Sequence, residues 1–161
     1  MEILKTPSSK PSTPILRGLV LAFIVISFLG FLDATFLTAG HYLGPLLGCP
    51  IFGGCDKVLI SPYSAVGGIP VALFGAIYYL AIFILGIAYL DTGRVRILRF
   101  TASLTPLGLF ASLWFLYLQL FVIKALCFYC IASFITSTLL FVLGLVLRRG
   151  VRHYTIDKEL S

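Results

Sequence analysis

Charge is scarce in this chain: Asp, Glu, Lys and Arg together make up 11% of it, and only six residues are acidic. A water-soluble globule draws about a quarter of its residues from these four types, so a soluble domain is excluded. Histidine is scarcer still. The two copies, His41 and His153, both fall outside the long apolar runs, which excludes a haem held between two histidines inside a membrane. No GxGxxG follows a strand-like run and no Walker loop occurs, so the phosphate-cradling loops of soluble-cofactor enzymes are missing. What the chain has in abundance is apolar: 60% of its 161 residues are hydrophobic, and its mean hydropathy is +1.07.

Four apolar runs are long enough to cross a hydrocarbon core of about 30 Å. They extend from Gly18 to Thr38, Ile69 to Leu90, Phe100 to Ile123 and Ala125 to Leu147. The expected fold is an all-α integral membrane protein, a bundle of four transmembrane helices. Residues 1–14, MEILKTPSSKPSTP, cannot bury much apolar surface and read as a disordered tail; residues 15–150 form the membrane domain, and 151–161 a second tail. The first run is longer than the apolar part of a secretory signal, and no small-x-small cleavage site follows it, so it reads as a retained helix. Only one loop is sizeable, Ala39 to Gly68, while DTGRVRILR and the region around Lys124 are short connections. Extramembrane chemistry must use that loop.

The basic residues sort by side. Lys5, Lys10, Arg17, Arg94, Arg96, Arg99, Arg148, Arg149, Arg152 and Lys158 flank one side, and only Lys57 and Lys124 the other, ten against two of the 12 in the chain. Cytoplasmic flanks retain positive charge during insertion, so both termini are expected in the cytoplasm and the large loop outside it. The net charge of +6 is thereby a topology signal, with attraction to anionic lipid as a by-product. No nucleic-acid partner is implied, because the cations do not line one groove or helix face.

The four cysteines make the sequence specific. Cys49 and Cys55 form CPIFGGC in the large loop, and Cys127 and Cys130 form CFYC at the start of the fourth run. The deduced topology puts all four on the oxidising side, where disulfides persist. As staples they would achieve little: closing a ring of seven residues gains about 2.4 kcal/mol and one of four about 1.8, in a bundle that lipid already constrains. A CxxC at a helix start does more, because its sulfurs share one face and the helix N-terminus stabilises thiolate. Cys127 is expected to be the more exposed of the two and the attacking thiol. Structural disulfides and a four-thiolate zinc site are the bland alternatives. Zinc is disfavoured because one pair lies at membrane depth without polar supporting residues, and no metal is expected.

Two dithiol pairs that pass electrons need a final acceptor, and with no cofactor motif present it must come from the lipid. It must also lie above periplasmic thiol oxidants near −120 mV. A quinone meets both conditions.

These residues resemble the vitamin K epoxide reductase family in its bacterial or archaeal form. The resemblance covers about residues 18 to 147 and is carried by Cys49 and Cys55, the segment CDKVLISPYSAVGGIPVALFGAIYYL, and CFYC opening the last span. It implies a four-helix bundle around a quinone of the ubiquinone, menaquinone or phylloquinone type, capped by the loop with a short horizontal helix near Asp56 to Ile60. It implies that Cys49 meets a thiol partner, Cys55 shuttles to Cys127, and Cys130 faces the quinone. Ser61 stands six residues after the second loop cysteine, where the family has a serine or threonine near the quinone. Its local alternative is a turn residue before Pro62. Vertebrate members carry an asparagine in the second span and a tyrosine four residues after the final cysteine. Here there is no matching asparagine, and Phe134 takes the tyrosine's position against the quinone, a departure that counts against epoxide reduction. Many bacterial relatives carry a fused thioredoxin-like domain, and RRGVRHYTIDKELS is too short for one, so the expected partner is a separate thioredoxin-like protein. The expected activity is a quinone-dependent thiol oxidase supporting disulfide formation. Reduction of vitamin K or its epoxide is the enzymatic alternative, and a scaffold with inert disulfides the non-enzymatic one.

The remaining polar residues divide between anchoring and chemistry. Asp33 falls near the outer end of the first span, where a carboxylate reaches interfacial water, with proton handling as the alternative. Gln119 and Tyr117 are candidates for the quinone pocket or for interface anchoring and interhelical hydrogen bonds. Trp114 reads as packing, His41 as a solvated loop residue, and Gly53, Gly54, Gly67 and Gly68 as hinges of a loop that must move.

Overall fold

The computed structural model describes residues 14–43, 55–59 and 61–160. The expectations for the tail before Pro14, for Cys49, and for the hinge glycines Gly53 and Gly54 lie outside the described residues. Four helices are long and apolar enough to cross a membrane. They are α1 (Pro14–Leu43), α3 (Val71–Thr92), α4 (Val95–Tyr117), which runs into a π-helical stretch at Leu118–Ile123, and α5 (Phe128–Leu160). The short α2 (Cys55–Leu59) and a two-stranded hairpin, β1 (Ala65–Val66) and β2 (Ile69–Pro70), lie between α1 and α3. The short helix expected at Asp56 to Ile60 runs from Cys55 to Leu59, starting one residue earlier at Cys55 itself.

The helices outrun the apolar stretches at several ends. The first continues to Leu43, so His41 sits on a helix rather than in a loop. The last continues to Leu160, so the stretch expected as a tail is helical. Hydropathy marks where hydrocarbon ends, whereas backbone hydrogen bonding carries a helix on into water. The DTGRVRILR connection shrinks to two residues. Gly93 takes φ 63° and closes α3 by donating its N–H to Tyr89 O at 2.8 Å, an arrangement open to glycine because it has no Cβ. The fourth helix begins at Phe128 instead of Ala125, because Lys124 adopts a left-handed φ of 52° and breaks the chain direction after the π-helical stretch.

The first helix packs on α3 and α5, and α4 completes the ring by packing on α3 and α5 in turn. Val20, Phe23, Tyr79, Ile82, Leu140 and Leu147 fill the interior. Leu21, Val25, Phe28, Ile77, Phe100 and Phe110 project outward. So much exposed apolar surface is intolerable in water and suits lipid. Close approach depends on small residues, as between helices in a bilayer generally: a Cβ on Gly30 would lie 2.6 Å from the Tyr79 ring. Pro106 inside α4 has no N–H for the carbonyl of Ala102, and the Thr105 hydroxyl donates to that carbonyl instead at 2.9 Å. Between α3 and α5, the Tyr79 hydroxyl donates to Ser133 O at 3.0 Å and lies within hydrogen-bonding distance of the Ser137 hydroxyl at 2.7 Å. Ser112 of α4 donates to that same Ser137 oxygen at 2.9 Å. Three helices are thereby tied at one level.

Candidate functional site: thiols and a cavity at one end of the bundle

Two breaks in helical regularity assemble the thiols. The break after Ile123 lets Cys127 stand just before α5, where its carbonyl accepts the first helical bond from Ile131 N at 3.1 Å. The π-helical stretch turns Gln119 inward, 2% exposed, and its Oε1 accepts the Cys127 N–H at 3.0 Å. Cys55, the first residue of α2, covers the same point from the loop side. The Cys127 thiol donates to Cys55 Sγ across 3.6 Å. Cys55 is in a disulfide, whereas Cys127 and Cys130 are free thiols.

This packing corrects one expectation. Cys127 is 0% exposed and Cys55 1%, while Cys130 is the partly accessible member of the CFYC pair. The helix end that would have left Cys127 open is capped by α2. The Cys127 thiol is nonetheless acidified to about 7: hydrogen bonding from the Cys130 thiol and from the Cys130 and Tyr129 N–H groups outweighs burial, which pushes it up. A sulfur so placed is a competent nucleophile near neutral pH, and 3.6 Å is close to the separation at which reacting atoms meet.

Beneath the thiols is a cavity of about 290 Å³ whose wall includes Ser61, His41, Tyr79, Gln119, Cys130 and Ser137. It is of the size and character of small-molecule sites, largely apolar with a few convergent polar groups. Its lining fits a quinone headgroup: flat apolar walls, hydroxyl and amide donors for ring carbonyls, and a thiol at the surface. Ser61 lines it and also makes the local turn, donating its hydroxyl to Val58 O at 2.7 Å. His41 lines it from the last turn of α1. Phe134 is not on the cavity wall, although it stands one turn after Cys130; on its helix the lining residues are Cys130, Ser133 and Ser137. Tyr117 is exposed and stacks on Trp114 with ring centroids 6.0 Å apart, an arrangement of interface anchors rather than pocket walls. Gly67 and Gly68 take φ 61° and 84° in the tight turn of the hairpin, whose register pairs Val66 with Ile69. They serve that turn instead of a hinge. Asp33 departs from its expected contact with interfacial water, since its Oδ2 is buried without a hydrogen-bond partner.

Sequence reasoning missed the hydroxyl cluster. Ser133, Thr136 and Ser137 recur at helical spacing on α5, which was the available signal, but their partner Tyr79 is 54 to 58 residues away.

Four membrane-crossing helices with paired sulfurs above an internal cavity define a multi-pass membrane protein built for thiol redox chemistry. The family model described as Vitamin K epoxide reductase family matches residues 21–145. The chain belongs to that family, and with it to the membrane oxidoreductases that act on quinones through redox-active cysteines. Comparison with curated proteins returns no match.

Proposed function

We propose that this protein is a thiol oxidase that carries electrons from an extracytoplasmic thioredoxin-like protein to a membrane quinone, and so sustains disulfide formation. The observation that carries the reading is the 3.6 Å contact between Cys127 Sγ and Cys55 Sγ, with Cys130 one helical turn further on, at the cavity wall. A partner thiolate attacks the Cys49–Cys55 disulfide. Cys55, released as thiolate, then attacks Cys127 of the oxidised Cys127–Cys130 disulfide; Cys130 leaves with the electron pair as thiolate, and exchange at Cys55 then frees Cys127 as the second thiol of the reduced pair. Quinone bound in the cavity supplies the oxidising power, and Gln119, Ser61 and the hydroxyls of Ser133 and Ser137 are the groups that would hold its ring. Both termini lie in the cytoplasm in this reading, as the ten basic residues on that side favour.

The residues of α3 that line the cavity include Val71, Ala72, Phe74 and Gly75, with no asparagine among them, which favours quinone over epoxide as the substrate. The test is quinol formation by the reconstituted protein with a reduced thioredoxin-like donor, across single substitutions of the four cysteines. Cys130→Ala is expected to keep part of the exchange with the partner and to abolish quinol formation. Equal loss of both steps would contradict the order proposed.

A further inference from the structure

Asp33 stands out among the buried polar groups. Its Oδ2 is shut off from solvent with no hydrogen-bond partner, the one side-chain nitrogen or oxygen in that condition among the described residues. Gln119, buried as a whole residue, shows how such a group is normally satisfied, with its Oε1 accepting the Cys127 N–H. The unpartnered carboxylate is not on the cavity wall. It lies one helical turn before Phe36, whose ring packs on Tyr129 between the two cysteines of CFYC, and within electrostatic reach of both thiols, Cys127 and Cys130. Other titratable groups packed near this part of α1 are Tyr129 of α5, whose ring meets Phe36 at 4.9 Å, and Tyr79 of α3, whose ring covers Gly30. On the α2 side stands Cys55, which is in a disulfide.

Two neighbouring acids in a poorly solvated site resist being ionised together, and their protons then belong to the pair. We infer that Asp33 and Cys127 hold one negative charge between them, so that Asp33 takes up the proton when Cys127 becomes a thiolate. The inference rests on the relay reading and deepens it. In the exchange step Cys127–SH and Asp33–COO⁻ become Cys127–S⁻ and Asp33–COOH. The thiolate attacks Cys55 Sγ, a Cys127–Cys55 bond forms, the existing disulfide at Cys55 breaks, and its other sulfur leaves with the electron pair as thiolate. In the direction of electron flow toward Cys130 the same steps run backward, and Asp33 returns its proton to Cys127 as that sulfur departs. Asp33 is a positioning residue for charge: it keeps the exchange electroneutral within the protein while the nucleophile changes hands.

The test is a pH titration of thiolate ultraviolet absorbance in the purified full-length protein with CFYC reduced, assigned with Cys127→Ser. The wild type is expected to titrate Cys127 in two steps, because the shared charge must be supplemented by a second before both groups ionise. Asp33→Asn is expected to give one step, below the upper wild-type step by about one pH unit or more, and Asp33→Glu to restore two. If Asp33→Asn does not fold, the infrared carboxyl band in Cys127→Ser answers instead. Asp33 should then ionise at lower pH than in wild type. A single wild-type step that coincides with that of Asp33→Asn, or a carboxyl titration unmoved by Cys127→Ser, would overturn the inference. Quinol formation by the wild type, measured alongside, reports the relay separately: its absence with a two-step titration would sink the oxidase reading and leave the shared charge standing.

Discussion

At the scale of single residues, the site depends on side chains whose work is set by what covers them. Cys127 combines complete burial with an acidified thiol, and the first-named cause of that acidity is the Cys130 thiol. Thiol–disulfide exchange at Cys127 is therefore expected to rise with pH through about 7, since only the thiolate attacks. In Cys130→Ala the donor is gone, and the midpoint should move to higher pH; stopped-flow exchange with a small disulfide, followed against pH, checks both statements. Gln119 has a different duty. Replacing it with leucine leaves the buried Cys127 N–H without an acceptor, at a cost of about 1–3 kcal/mol. Reversible unfolding in mixed detergent should register that loss, together with slower exchange as Cys127 shifts away from Cys55. Neither duty was readable from the chain. CFYC announces a redox pair, but that its first cysteine lies beneath Cys55, and that Gln119 turns inward, depends on contacts between residues 72 and 8 positions apart.

At the scale of elements, the short helix at Cys55 was implied only by the family resemblance, whereas the four spans could be read in advance, because apolar length is a one-dimensional property. The ends of the helices could not. Where α4 stops is decided by the π-helical stretch and the left-handed Lys124, and neither leaves a mark in hydropathy. That irregularity matters, because an uninterrupted helix would carry Gln119 and Cys127 away from each other. Helix packing is similarly set by small residues that composition alone does not place. Gly30→Leu would drive a side chain into the Tyr79 ring, where even a Cβ lies at 2.6 Å. Overpacking of this kind typically costs about 1–3 kcal/mol. The expected outcome is lower thermal stability and a weakened link between Tyr79 and the serines of α5, seen as slowed quinol formation with cysteine exchange largely retained.

At the scale of the whole molecule, the asymmetry of charge matches the asymmetry of chemistry: along the sequence, ten of the 12 cations fall on the flanks of the spans opposite those that carry the cysteines. A reporter attached after Ser161 should read as cytoplasmic, and a membrane-impermeant thiol reagent applied from outside should modify Cys127 only after Cys55 is removed. Reversing the order of those two results would invert the topology. The lidded arrangement also bears on how such a protein survives among small reductants. With Cys127 at 0% exposure under Cys55, stray thiols in the surrounding fluid have no direct path to that sulfur. In the proposed relay they would enter at the disulfide of Cys55, where the partner would compete with them, so the wiring would be insulated against short circuits and current would reach the membrane only through the terminal built for it.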